Sequence, residues 1–125
     1  MSLTVEIFLV RADGEVEVQQ TPEGVPDLAG PESWRTLVWG SRAIRSFGAR
    51  FFPAMVRGDL VAPDEVPAFL AECALVREHL EELATLTCRP DRTVEQHADH
   101  IGSRLGFIEE TAVRARGMGG GVLIW

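Results

Sequence analysis

Between Asp64 and Leu86 the apolar residues recur at spacings of three and four. Val66, Phe69, Leu70, Cys73, Val76, Leu80, Leu83 and Leu86 form one stripe, and Glu65, Glu72, Glu78, Glu81 and Glu82 lie off it. That period predicts an amphipathic, acidic helix with one face committed to a core and the other charged. A chain of 125 residues can bury about two thirds of its unfolded surface around a single core. With 46% apolar and 25% charged residues it has the balance of a folded protein. One domain over residues 1–125 is expected.

The amino-terminal segment has a different period. Leu3 to Val10 and Glu15 to Gln20 alternate around Asp13-Gly14, which predicts a β-hairpin closed by a two-residue turn. Pairing Ala12 with Glu15 sets Val5, Ile7, Leu9, Val16 and Val18 on one face. Phe8 and Val10 then lie on the mixed face, as a contact patch or under partial cover. From Thr21 to Glu32, Pro22, Gly24, Pro26, Gly30 and Pro31 predict an irregular loop. Ser33 is the expected cap of a helix running to about Phe47, with Gly40 inside it and close to a neighbour, and a short helical piece is expected over Ala49 to Val56. Pro90 ends the acidic helix. A final helix from Thr93 to Arg116 carries Val94, Ala98, Ile101, Leu105, Ile108, Ala112 and Ala115 in register and stops at Gly117. Val122 to Trp125 then reads as a closing strand. The fold class is α+β: a three-stranded, mainly antiparallel sheet with its first strand in the middle and three to four helices over one face.

Charge is distributed in blocks. Residues 1–32 hold seven acids against one arginine, residues 33–58 hold five arginines and no acid, residues 59–88 again hold seven acids against one arginine, and the rest balance. The net charge of −7 opposes non-specific nucleic-acid binding, which depends on neutralising phosphates. Lysine, asparagine and tyrosine are absent and arginine supplies all the basic residues, a codon bias expected of a GC-rich bacterial genome. The arginines are therefore weak evidence for a nucleic-acid footprint. No apolar run is long enough to span a bilayer, and Glu6 stands where a secretory signal carries positive charge. A cytoplasmic protein with both thiols free is expected. Helical spacing puts Cys73 and Cys88 roughly 22 Å apart, out of disulfide reach.

Candidate chemistry is sparse. His97 and His100, one turn apart, and Cys88 upstream are the one cluster with metal-ligating types, but no paired ligand sets accompany them. The same three residues define a thiol-dependent enzyme as an alternative, without a nameable oxyanion hole. The glycines at 117, 119, 120 and 121 follow a helix, whereas phosphate loops precede one. No cofactor and no metal is expected. The reading that remains is a small acidic protein-binding module. Its specific form is an inhibitor or immunity protein that neutralises a basic partner such as a toxin.

Two surfaces compete for the contact: the glutamate face of Glu72, Glu78 and Glu82, and a stripe of Arg35, Trp39 and Arg42. Trp39 is either the centre of that stripe or part of the core. The same stripe defines a nucleic-acid or nucleotide binder as a further alternative, and closure of the Phe8 and Val10 face by a second copy is compatible with the pattern.

Overall fold

The computed structural model describes residues 2–125. The chain is α+β: an antiparallel four-stranded sheet packed against helices on one face. Strand β1 (Ser2–Val10) is central, as expected. Strand β4 (Gly121–Ile124) occupies one edge, with Val5 opposite Ile124 and Phe8 opposite Gly121. Along the other edge lie β2 (Val16–Gln19), opposite residues 7–10 of β1, and β3 (Leu28–Pro31), opposite residues 2–4.

Strand β3 corrects the expectation of an irregular loop. The prolines and glycines of 22–31 did mark a break from regular structure, but the last four residues pair with β1 as a short edge strand. Pro31 is tolerated because it ends the strand, and Gly30, at φ +113°, lacks the Cβ that would strike the Trp34 ring.

The hairpin register is also corrected. The turn has three residues, with Arg11 N–H donating to Glu15 O (2.8 Å) and Gly14 at φ +87°, the arrangement of a type I turn followed by a left-handed glycine. Val10 therefore pairs with Val16 and Phe8 with Val18. A slip of one residue exchanges the faces of β2. Its valines leave the core side and join Phe8 and Val10 on the other.

The helices are shorter than their periodicity implied. The expected Ser33–Phe47 helix is two: α1 (Trp34–Leu37) and α2 (Arg42–Ser46). Ser33 makes no side-chain cap; Ser41 does, accepting the Ile44 N–H at 3.2 Å. A Cβ on Gly40 would collide with the Arg35 carbonyl. Helix α3 (Phe51–Met55) falls within its expected range. The acidic helix is likewise interrupted: a 3-10 turn over Pro63–Glu65 leads into α4 (Val66–Glu78), and α5 (Leu80–Thr87) follows a break at His79. Most of its stripe holds, with Val66, Phe69, Cys73, Val76 and Leu83 fully buried, but Leu86 is exposed.

The last helix, α6 (Val94–Met118), is closed at Thr93 by reciprocal hydrogen bonds with Gln96, both 3.0 Å. Its left-handed cap is Gly119, two residues beyond the expected Gly117. It lies between the sheet and the α4–α5 layer, touching β1, β3 and β4 on one side and both helices on the other. One cluster of buried residues joins the inner sheet face to these helices, from Leu3 and Val5 through Ile101, Leu105 and Ile108 to Phe69 and Val76. No helix among the described residues is long and apolar enough to cross a membrane.

Candidate functional site

The face of the sheet turned away from α6 is the most distinctive surface of the molecule. Alternation along the ladder places Glu6, Phe8 and Val10 of β1, Val16 and Val18 of β2, and Leu123 of β4 on it. Trp125, joined to Thr4 by two backbone hydrogen bonds of 2.9 and 3.0 Å, extends the row. Phe8 and Leu123 are buried, yet neither belongs to the main core cluster. Phe8 sits over Gly121, where any Cβ would meet its ring.

Around this floor the apolar side chains remain open to solvent: Val10 is 50% exposed, Val16 49%, Leu60 43% and Trp125 58%. Between Val16 and Val18 on one side and Gly58 to Leu60 on the other runs a groove of about 290 Å³, ending at Trp125. Contiguous apolar exposure of this kind marks interaction surfaces far more often than scattered leucines do. Acids border it. Asp59 lines the groove, and Glu6 Oε2 accepts the Trp125 indole N–H at 2.6 Å, which fixes the ring.

The two sheet edges beside the groove differ. On the β4 side Val61 and Val122 exchange hydrogen bonds of 2.9 and 3.0 Å, so the edge is partly covered. On the β2 side it is open. Val5 N–H points to Asp27 O and Arg11 N–H to Glu15 O, so the odd-numbered amides of β1 face this edge. Glu17 and Gln19, opposite Leu9 and Ile7, take the ladder bonds, and the backbone groups of Val16 and Val18 face outward.

The residues expected to form the partner contact are dispersed. Glu72 is corrected from surface to interior: it is 7% exposed, and its carboxylate accepts the N–H groups of Arg50 (2.6 Å), Phe51 (3.0 Å) and Phe52 (2.9 Å) at the start of α3. The sequence held a sign of this, since Glu72 stands three residues from Phe69 and four from Val76, on the buried stripe itself. Glu78 is exposed, and Glu82 faces His79 at 3.5 Å on the surface.

Trp39 is fully buried, stacked on Phe52 at 4.8 Å with its indole N–H donated to Ala29 O (2.7 Å). The stripe with Arg35 and Arg42 does not form, because the helix ends between them. Arg35 is held by Glu32 (2.6 Å) and by Val56 O (3.1 Å), and Arg42 is exposed at the start of α2.

His97 and His100 both pack against Trp34, with ring centroids 5.8 and 4.7 Å from it. The Thr87 hydroxyl donates to Leu83 O (2.7 Å), so it accepts the His97 Nε2–H at 2.9 Å. That leaves His97 Nδ1 as a buried lone pair without a partner among the described residues. His100 Nδ1 accepts from Arg92 Nη1 at 2.8 Å. Both imidazoles are held below their ordinary range, His97 by burial and then by the Arg92 charge, His100 by burial and then by Arg104 and Arg92. Cys88 instead approaches the carbonyls of Arg89 and Arg92, at 3.5 and 3.4 Å. Among the described residues no three of His, Cys, Asp and Glu converge as metal ligands would. Comparison with protein-family models, curated proteins and solved structures finds no match.

Proposed function

We propose that this chain is a non-enzymatic, cytoplasmic protein-binding module, and that it neutralises a basic protein in the manner of an inhibitor or immunity protein. One observation carries the reading: an apolar groove on the outer sheet face beside an unpaired edge strand, on a molecule of net charge −7. The apolar row supplies contact area and the open edge supplies backbone donors and acceptors for an added strand. Long-range charge accelerates encounter with a cationic partner. The negative charge also sets the occupant: two copies of this chain repel, whereas a basic protein is attracted. Two free cysteines fit a reducing compartment.

The surface of contact in this reading is Val10, Val16, Val18, Leu60 and Trp125, with Glu78 and Glu82 acting in steering. Capture from a lysate of the native host, with the chain and its Val16→Glu/Val18→Glu variant as parallel baits, tests it. A basic protein retained in equal amount by the first and lost by the second is the expected result. Equal retention by both baits, or self-association abolished by the substitutions, refutes it.

A further inference from the structure

A cleft of about 420 Å³ opens where the end of β3 meets the approach to α6, walled by Trp34 and His97 and carrying Arg89, Asp91 and Arg92. Two features point to a ligand. First, neither arginine forms an ion pair among the described residues. Arg92 commits one N–H to His100, and the rest of both guanidinium groups is free to bind oxygen atoms. Second, His97 is only 4% exposed, and its ring donor is committed to Thr87, so Nδ1 is an acceptor with no donor among the described residues. Leaving such an atom buried and unmatched costs about 1–3 kcal/mol. A ligand that brings its own O–H removes that cost.

We propose that the cleft binds a small oxyanion that retains a hydroxyl donor, hydrogen phosphate being the simplest. The guanidinium groups of Arg89 and Arg92 hold its oxygen atoms, and its hydroxyl donates to His97 Nδ1. This site is independent of the outer sheet face.

Sulfate is the discriminating control, for it matches hydrogen phosphate in shape and charge but has no proton to donate. Amide resonances from Arg89 to His97 are followed by NMR while inorganic phosphate or sulfate is added at matched ionic strength and pH 7.5. Phosphate is expected to move them saturably, with sulfate at least about tenfold weaker. Arg89→Gln weakens both anions. His97→Gln places an amide donor near Thr87 but offers nothing at Nδ1, and so reduces phosphate to the level of sulfate. An equal response to the two anions, no saturable response to either, or an unchanged preference in His97→Gln overturns the proposal. If His97→Gln does not fold, the phosphate-to-sulfate ratio of the native chain decides it.

Discussion

Glu72 Oε2 accepts the backbone N–H of Phe52 at 2.9 Å, and its other oxygen takes Arg50 and Phe51. A carboxylate on α4 thus closes the amino terminus of α3, twenty residues away in sequence, and fixes the segment that carries Phe52 under Trp39. Helix α3 has five residues and no cap of its own. Its first amides are buried, and unpaired amides there are costly. Glu72→Gln, which keeps the shape but turns an amine toward an N–H, is expected to lower unfolding free energy by about 1–3 kcal/mol. Urea denaturation measures it, and a loss smaller than about 0.5 kcal/mol, the ordinary range for surface changes, contradicts the assignment.

Gly121 makes a second point of close packing. A methyl group there collides with the Phe8 ring and the Val61 carbonyl, one on the outer face and one on the segment that covers β4. Gly121→Ala is expected to cost roughly 1–3 kcal/mol, the usual penalty of overpacking. It should also loosen the floor of the groove, visible as faster exchange of the Val122 amide, which is bonded to Val61 O. Unchanged thermal stability speaks against the packing described.

The two histidines make stability depend on pH in one direction. Their folded-state pKa values lie below those of the unfolded chain, so the unfolded state takes up protons first as pH falls. Stability is full above the ordinary imidazole value and declines as pH drops through it toward the folded values. Between pH 7 and pH 5 the native chain should lose more stability than His97→Gln or His100→Gln, measured by denaturation at each pH. A parallel pH profile in all three is inconsistent with the packing against Trp34 and Arg92.

The thiols should separate kinetically. Burial first, then Glu109 and Glu72, push the Cys73 thiol far up, and it is fully buried on the α4 stripe. Cys88 is only half-buried in the connection before α6. A thiol reagent should modify one cysteine, Cys88, in the native protein and the second only in denaturant. Two fast native thiols, or none, disagree with these positions.

The sequence made the larger elements legible where period and burial agree. Val66, Phe69, Cys73 and Val76 are core as their spacing implied, α6 begins at its Thr93 cap, and β1 is central because it is apolar on both faces. What escaped depends on contacts distant in sequence. The hairpin register turns on whether Gly14 closes a two- or three-residue turn, and Asp13-Gly14 serves either. The pairing of Leu3 with Gly30 is invisible in a segment rich in proline and glycine. At the expected site, the charge of Glu72 suggests a surface position while its spacing places it inside, and Trp39 lies beyond α1, which ends at Leu37. The alternation around Phe8 and Val10 marks the outer sheet face as apolar, with Phe8 buried and Val10 exposed, whereas the groove wall of Val16 and Val18 follows only from the three-residue turn.

The proposed partner surface is the outer sheet face. Amide hydrogen exchange of the chain, free and with any basic protein retained in the capture experiment, tests this most directly, because the Val16 and Val18 amides point outward and lack ladder bonds. Marked slowing of those two amides on binding, together with protection around Leu60 and Trp125, is the predicted footprint. Protection confined to Arg35 and Arg42, or to Glu78 and Glu82, with Val16 and Val18 still exchanging freely, would contradict it.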